Sequence, residues 1–148
     1  MKRPDFMELA FVEAEAARLR GEVPIGAVLA LDGSVIAAAG NRTRELSDPT
    51  AHAEIVAIRQ AASAHGSERL SGADLYVTLE PCAMCAGAIS FAPIRRLYFG
   101  AVDEKGGATV SGVRFFASPT CHHAPDIYPG LQEERAAALL RDFFRERR

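Results

Sequence analysis

The stretch Ala73–Gly100, ADLYVTLEPCAMCAGAISFAPIRRLYFG, decides how this chain folds. Leu75, Val77 and Leu79 alternate with smaller or polar neighbours, the period of a strand with one face buried. Pro81 interrupts that run, because it can donate no ladder hydrogen bond. A short helix of small residues follows from Cys82 to about Phe91, and Pro93 ends it. Ile94 to Gly100 reads as a further strand. A strand, a helix and a strand in direct succession set an α/β pattern for the rest of the chain.

Working outward towards the N-terminus, Asp5 and Glu8 have capping-box spacing, each placed to satisfy a free N–H of the first turn. Met7, Ala10, Phe11, Ala14 and Ala17 then recur at helical intervals until Gly21. Val23–Leu31 and Ser34–Gly40 read as two strands joined at Asp32-Gly33, a pair suited to the positive φ values of a tight hairpin. Asp48-Pro49-Thr50 introduces the next helix, with Pro49 in its first turn and Asp48 or Thr50 as its cap. Towards the C-terminus, Gly106–Pro129 is irregular, with one short strand near Ile127. A last helix spans Gln132–Arg147 and buries Ala136, Leu139, Leu140 and Phe143. The pattern predicts an α/β sandwich around one mixed sheet, opened by an antiparallel hairpin.

The chain has 148 residues, most simply one domain, 1–148, with a substantial core. It is 49% hydrophobic and 24% charged, and no apolar run approaches the roughly 20 residues that a membrane helix needs. The acidic first residues lack a secretory signal core, so the expected location is cytoplasmic and not membrane-bound. A formal net charge of −2 gives no general attraction to nucleic acid, so any such binding has to come from local patches. The cysteines are three, Cys82, Cys85 and Cys121, which suits metal or redox chemistry better than a disulfide framework.

Cys82 and Cys85 lie three apart at a helix start, so both side chains leave one face, where free N–H groups and the helix dipole favour thiolates. Alone, a Cys-x-x-Cys is equally a redox pair or two buried small residues. His52 changes that reading. It too stands where a strand gives way through polar and proline punctuation to a helix, and helix N-termini at one sheet edge can converge. One imidazole and two thiolates are zinc-type donors that leave a fourth tetrahedral position open for water. A closed structural site would need another ligand, which Cys121, His122 or His123 could supply. Glu54, two residues beyond His52, is placed to take a proton from a metal-activated water and pass it on. His-x-Glu followed by Pro-Cys-x-x-Cys is the recorded signature of zinc nucleobase deaminases.

With PTAHAEI (Pro49–Ile55) and TLEPCAMCAGAI (Thr78–Ile89) in view, the chain closely resembles the bacterial tRNA-specific adenosine deaminases, within the cytidine/deoxycytidylate deaminase superfamily. The likeness extends to EVPIGAV (Glu22–Val28), GNR (Gly40–Arg42) and LLRDFFRERR (Leu139–Arg148). It implies a cytidine-deaminase-like three-layer α/β/α sandwich with a five-stranded mixed sheet, one zinc ion per chain and a homodimer. It also implies conversion of adenosine to inosine at the wobble position of an arginine tRNA. On that resemblance His52, Cys82 and Cys85 match the zinc ligands, Glu54 the proton shuttle and Asn41 the residue that holds the purine ring. Phe115–Gly130 matches the family only loosely.

The tRNA anticodon loop is thus the expected partner. Arg141, Arg145, Arg147 and Arg148 crowd the last turns beside Phe143 and Phe144. Arginines late and Glu133 and Glu134 early are also ordinary compensation of the helix dipole, with the Phe pair as core. Two rival functions differ in class: a deaminase of free guanine or cytosine, which needs no basic tail, and a non-catalytic zinc-stabilised RNA-binding module, which has no use for Glu54.

Overall fold

The computed structural model describes residues 5–147, and Arg148 of the basic tail lies outside them. Asp5 caps the first helix, α1 (Phe6–Leu19), accepting the Glu8 N–H at 3.0 Å. The reciprocal half of the expected capping box does not form. Glu8 instead pairs through its carboxylate with Arg135 of the last helix.

The hairpin consists of β1 (Gly26–Leu31) and β2 (Ser34–Gly40), and Asp32 and Gly33 turn it at φ 51° and 80°. Its first strand begins at Gly26 and not at Val23. Pro24 has no N–H to give a ladder, and the Ile25 N–H turns back to the Val23 carbonyl at 2.8 Å. Gly26 and Gly40 are cross-strand partners beneath α1. A Cβ on Gly26 would stand 1.9 Å from the Ala10 carbonyl oxygen, and one on Gly40 2.7 Å from that of Glu13. Paired glycines therefore let helix backbone rest directly on strand backbone.

The remaining elements are α2 (Ala53–His65), β3 (Asp74–Leu79), α3 (Ala83–Phe91), β4 (Arg96–Ala101), a 3-10 turn at Phe115–Ala117, β5 (Asp126–Tyr128) and α4 (Glu133–Glu146). The sheet runs β2-β1-β3-β4-β5, antiparallel across its first two pairings and parallel across the others. This is the mixed five-stranded sheet that the resemblance implied. Strand alternation then builds two cores. Ala27, Leu29, Leu75, Val77, Leu97 and Phe99 face Ala53, Ala57, Ala61 and Ile89 of α2 and α3. Val28, Tyr76 and Tyr98 face Phe11 of α1 and Ala136 of α4. Helices thus cover both faces, giving three layers.

Register also sets where the helices begin. Gly40 at the end of β2 pairs with Gly26 at the start of β1, and Ala27 pairs with Val77 near the end of β3. The chain therefore leaves β2 and β3 at the same edge of the sheet, and α2 and α3 both start there.

Candidate metal centre

Both of those helices begin without a side-chain cap. His52 is the N-cap of α2 and Cys82 the N-cap of α3, each extended, and neither side chain bonds to its own first turn. The expected caps of α2 are used elsewhere: the Asp48 carboxylate accepts from the Thr50 N–H at 2.9 Å and its hydroxyl at 2.7 Å. The helix consequently starts two residues later than Thr50 would place it. A missing cap typically costs about 0.5–2 kcal/mol. Here the two cap positions point an imidazole and a thiol at each other.

His52 Nδ1 lies 3.6 Å from Cys82 Sγ and 3.5 Å from Cys85 Sγ. The three donor atoms all lie within 4.8 Å of one another. Zinc bonds of about 2.3 Å to sulfur and about 2.05 Å to nitrogen, opened to a tetrahedral angle, put N and S about 3.6 Å apart. The donor set therefore has both the chemistry and the spacing of a tetrahedral zinc site before any ion is placed in it. Among the described residues it is the one group of three His, Cys, Asp or Glu donors spaced for a metal.

The electrostatics agree. A hydrogen bond from the Cys85 thiol, aided by the His52 ring, pulls Cys82 down to about 4 in spite of its partial burial. Cys85 is pushed up as the donor to that thiolate and by its own burial. The bond to Cys82 likewise raises His52. A divalent cation held by these donors would take the place of the shared proton, with both sulfurs as thiolates.

Glu54 sits in the first turn of α2, 4% exposed, with its carboxyl against the Cys85 sulfur. Burial raises its pKa above the ordinary carboxylate range, and the nearby His52 charge opposes that rise. It is a buried acid beside the metal donors and takes no place among them. Asn41 is buried at the end of β2, and its amide donates to Thr43 Oγ1 at 3.3 Å. The next residue, Arg42, donates its N–H to the Ala51 carbonyl at 3.0 Å, which ties the Asn41 turn to the residue preceding His52.

The conceivable fourth ligands stand apart. Cys121 Sγ donates to the His123 carbonyl at 3.1 Å and lies 3.5 Å from Ser90 Oγ, at the far end of α3. The His123 ring faces the Ile94 carbonyl at 2.9 Å, and His122 stacks on Phe91. These groups latch the irregular 118–125 segment to α3. No fourth His, Cys, Asp or Glu among the described residues joins the three donors.

A cleft of about 490 Å³ opens at the same sheet edge, between Leu79, Val102 and Lys105 on one side and Leu140, Arg141 and Phe144 of α4 on the other. Phe143 is core, as its place in the helical stripe predicts. Phe144 is 51% exposed and forms part of the cleft wall, so the two phenylalanines divide between fold and surface. The Arg145 side chain is largely exposed near Asp142, whereas Arg147 lies over the Phe143 ring.

Two buried glutamates escape the sequence reading in different degrees. Glu22 accepts the N–H groups of Arg44 and Glu45 at 3.1 and 2.8 Å and so shapes the turn after Asn41. Glu80, which stands just past the end of β3 and before Pro81, reaches further than that position suggests. It gathers donors from residues 103–111.

Comparison with known proteins returns one chemistry. Residues 1–101 match the family model of the cytidine and deoxycytidylate deaminase zinc-binding region. The tRNA-specific adenosine deaminase of Agrobacterium fabrum is 71% identical over 147 residues, covering 99% of this chain and 97% of that protein. A structure solved in a study of A-to-I editing by tRNA:A34 deaminases at the wobble position superposes with a TM-score of 0.90 at 72% identity. That match covers 91% of this chain and 98% of the other. The guanine deaminase of Bacillus subtilis is more distant, with a TM-score of 0.68 at 28% identity, covering 99% and 95% of the two chains.

Proposed function

The chain belongs to the cytidine and deoxycytidylate deaminase family, and from that membership we propose that it hydrolyses adenosine to inosine at the wobble position of tRNA. The reaction class rests on one observation: three zinc-type donors within 4.8 Å of one another, with a buried carboxyl beside them that is not one of them. The substrate rests on 71% identity, over nearly the full length of both chains, to a tRNA-specific adenosine deaminase. Guanine deaminases share the fold but stand much further away in sequence.

We assign one zinc ion per chain to His52, Cys82 and Cys85. Bound there with its fourth position open, zinc would lower the pKa of a water to about 7 and so supply the nucleophile for C6 of adenine. Glu54 takes the proton from that water and delivers it to the ring nitrogen N1. It then takes the remaining proton from the hydroxyl now on C6 and passes it to the exocyclic amine; the C6–N6 bond breaks, the C6 carbonyl forms and ammonia leaves. A carboxyl whose pKa is raised by burial suits both halves of that shuttle. Asn41, held in place through the Arg42–Ala51 bond, orients the purine ring. The anticodon loop presents the adenosine splayed out of its stack, which costs less in a loop than in a duplex. Arg141 and Arg145, on the exposed side of α4, meet phosphates. The active form is a homodimer working in the cytoplasm. No described helix is long and apolar enough to cross a membrane.

The test is to treat unmodified arginine tRNA with the purified protein and sequence it for inosine, beside ammonia release from free guanine and cytosine. Inosine confined to the wobble position is expected. Ammonia from a free base, with the tRNA unchanged, would replace this reading with the nucleobase deaminase.

A further inference from the structure

Glu80 carries more hydrogen bonds than any other carboxylate among the described residues, and none is local. Oε1 accepts the Asp103 N–H at 2.9 Å and the Ser111 hydroxyl at 2.9 Å. Oε2 accepts three consecutive backbone N–H groups, those of Thr109, Val110 and Ser111, at 3.1, 3.0 and 2.9 Å, together with the Thr109 hydroxyl at 3.1 Å. Successive amides converging on one oxygen form an anion nest, here filled by the protein's own carboxylate. The residue is 2% exposed, so solvent can replace none of these bonds.

The neighbouring geometry is fitted to this contact. The Ala108 N–H donates to the Pro81 carbonyl at 2.9 Å, so the same loop is fastened on both sides of the Glu80–Pro81 bond. Gly107 allows the approach, because a Cβ there would stand 2.4 Å from the Glu80 carboxyl carbon. One residue past Pro81 is Cys82. At the other end of the loop, Asp103, Glu104 and Lys105 line the cleft beside α4. The Asp103 carboxylate in turn caps the N–H groups of Lys105 and Gly106 at 3.2 and 3.0 Å.

We propose that Glu80 is a positioning residue for the substrate: it locks the Asp103–Ser111 loop to the hinge that presents Cys82, and so fixes the cleft wall relative to the reacting centre. The inference rests on the tRNA deaminase reading. It adds that a carboxylate touching neither metal nor substrate sets how well the RNA is held. Cys82 keeps its own supports in β3 and α3, so loss of the anchor loosens the wall and leaves the metal in place.

Glu80→Gln tests this in the zinc-loaded protein, because the amide keeps the size but turns an N–H₂ towards donors. Gly107→Ala is the second variant, pushing the loop away while leaving Glu80 intact. Each should speed amide hydrogen exchange at Thr109–Ser111 by about tenfold or more, since charge-assisted bonds are broken. Each should also raise KM for an anticodon stem–loop by about tenfold, with kcat within about threefold and one zinc retained per chain. The double variant should equal either single one, because both break one contact. Unchanged exchange would overturn the anchor. Faster exchange with unchanged KM, or loss of zinc, would overturn its role towards substrate. Failure of the wild-type protein to deaminate the stem–loop would instead sink the tRNA reading, while the exchange rates still decide the anchor.

Discussion

Removing one sulfur should strip the metal centre, and Cys85 is the sharpest place to do it. Its Sγ is fully buried, 3.5 Å from His52 Nδ1, and among the described residues no cysteine besides Cys82 and Cys85 joins the centre. Structural zinc sites with four protein ligands bind with about 10–16 kcal/mol, or roughly 2.5–4 kcal/mol for each ligand. At 1.4 kcal/mol per tenfold, Cys85→Ala should weaken zinc binding by about 10²–10³-fold. Cys121→Ser is the matched control, since its sulfur is spent on Ser90 and the His123 carbonyl. The assay is metal analysis after dialysis against a zinc chelator graded in strength, with a thermal melt alongside. Wild type and the Cys121 variant should retain one zinc per chain where the Cys85 variant has none. Chelation should lower the melting temperature of the first two only, because a ligand that binds the folded state stabilises it. Zinc loss from the Cys121 variant, or full retention by Cys85→Ala, would refute the three-donor centre.

Glu54→Gln should keep its zinc and its melting temperature while turnover falls about 10²–10⁴-fold, the usual worth of a positioned proton carrier. A variant retaining a tenth of the wild-type rate would remove Glu54 from the shuttle. Gly26→Ala should destabilise by about 1–3 kcal/mol or more, because its methyl would stand 1.9 Å from the Ala10 carbonyl oxygen. An unchanged denaturation midpoint would mean that α1 does not rest on β1 as described. Arg141→Gln with Arg145→Gln should flatten the salt dependence of tRNA binding by about 0.7 units of slope per lost phosphate contact. An unaltered slope with a lowered melting temperature would assign both arginines to the fold.

What the sequence made legible was local or periodic. The Asp32-Gly33 turn, the alternation of Leu75 and Val77, and the stripe of α1 each depend on near neighbours, and each stands in the structure, whereas Leu79 at the strand end is half-buried and packs with the opposite core. The donor set was readable because zinc chemistry limits it to few residue types at fixed spacings. The failures share one physical cause, a distant partner that outbids a local preference. Thr50 has the chemistry of a cap, yet the cap position of α2 goes to His52, whose ring is needed 3.5 Å from a sulfur on another helix. Glu8 has capping-box spacing, yet its carboxylate is taken by Arg135, far along the chain. Glu80 spends its oxygens on amides that no spacing rule connects to it. Phe144 shares a helix end with Phe143, and only the packing of α4 on the sheet separates the exposed ring from the buried one.

The central claim is hydrolysis at C6 of one adenosine, and the most direct measurement follows the oxygen. An anticodon stem–loop with adenosine at the wobble position is turned over by the zinc-loaded protein in ¹⁸O-labelled water, and the product nucleoside is analysed by mass spectrometry beside the ammonia released. The account predicts inosine labelled at O6, one ammonia for each inosine, and no conversion of adenosines elsewhere in the loop. An intact wobble adenosine, or inosine that carries no label from the water, would contradict it.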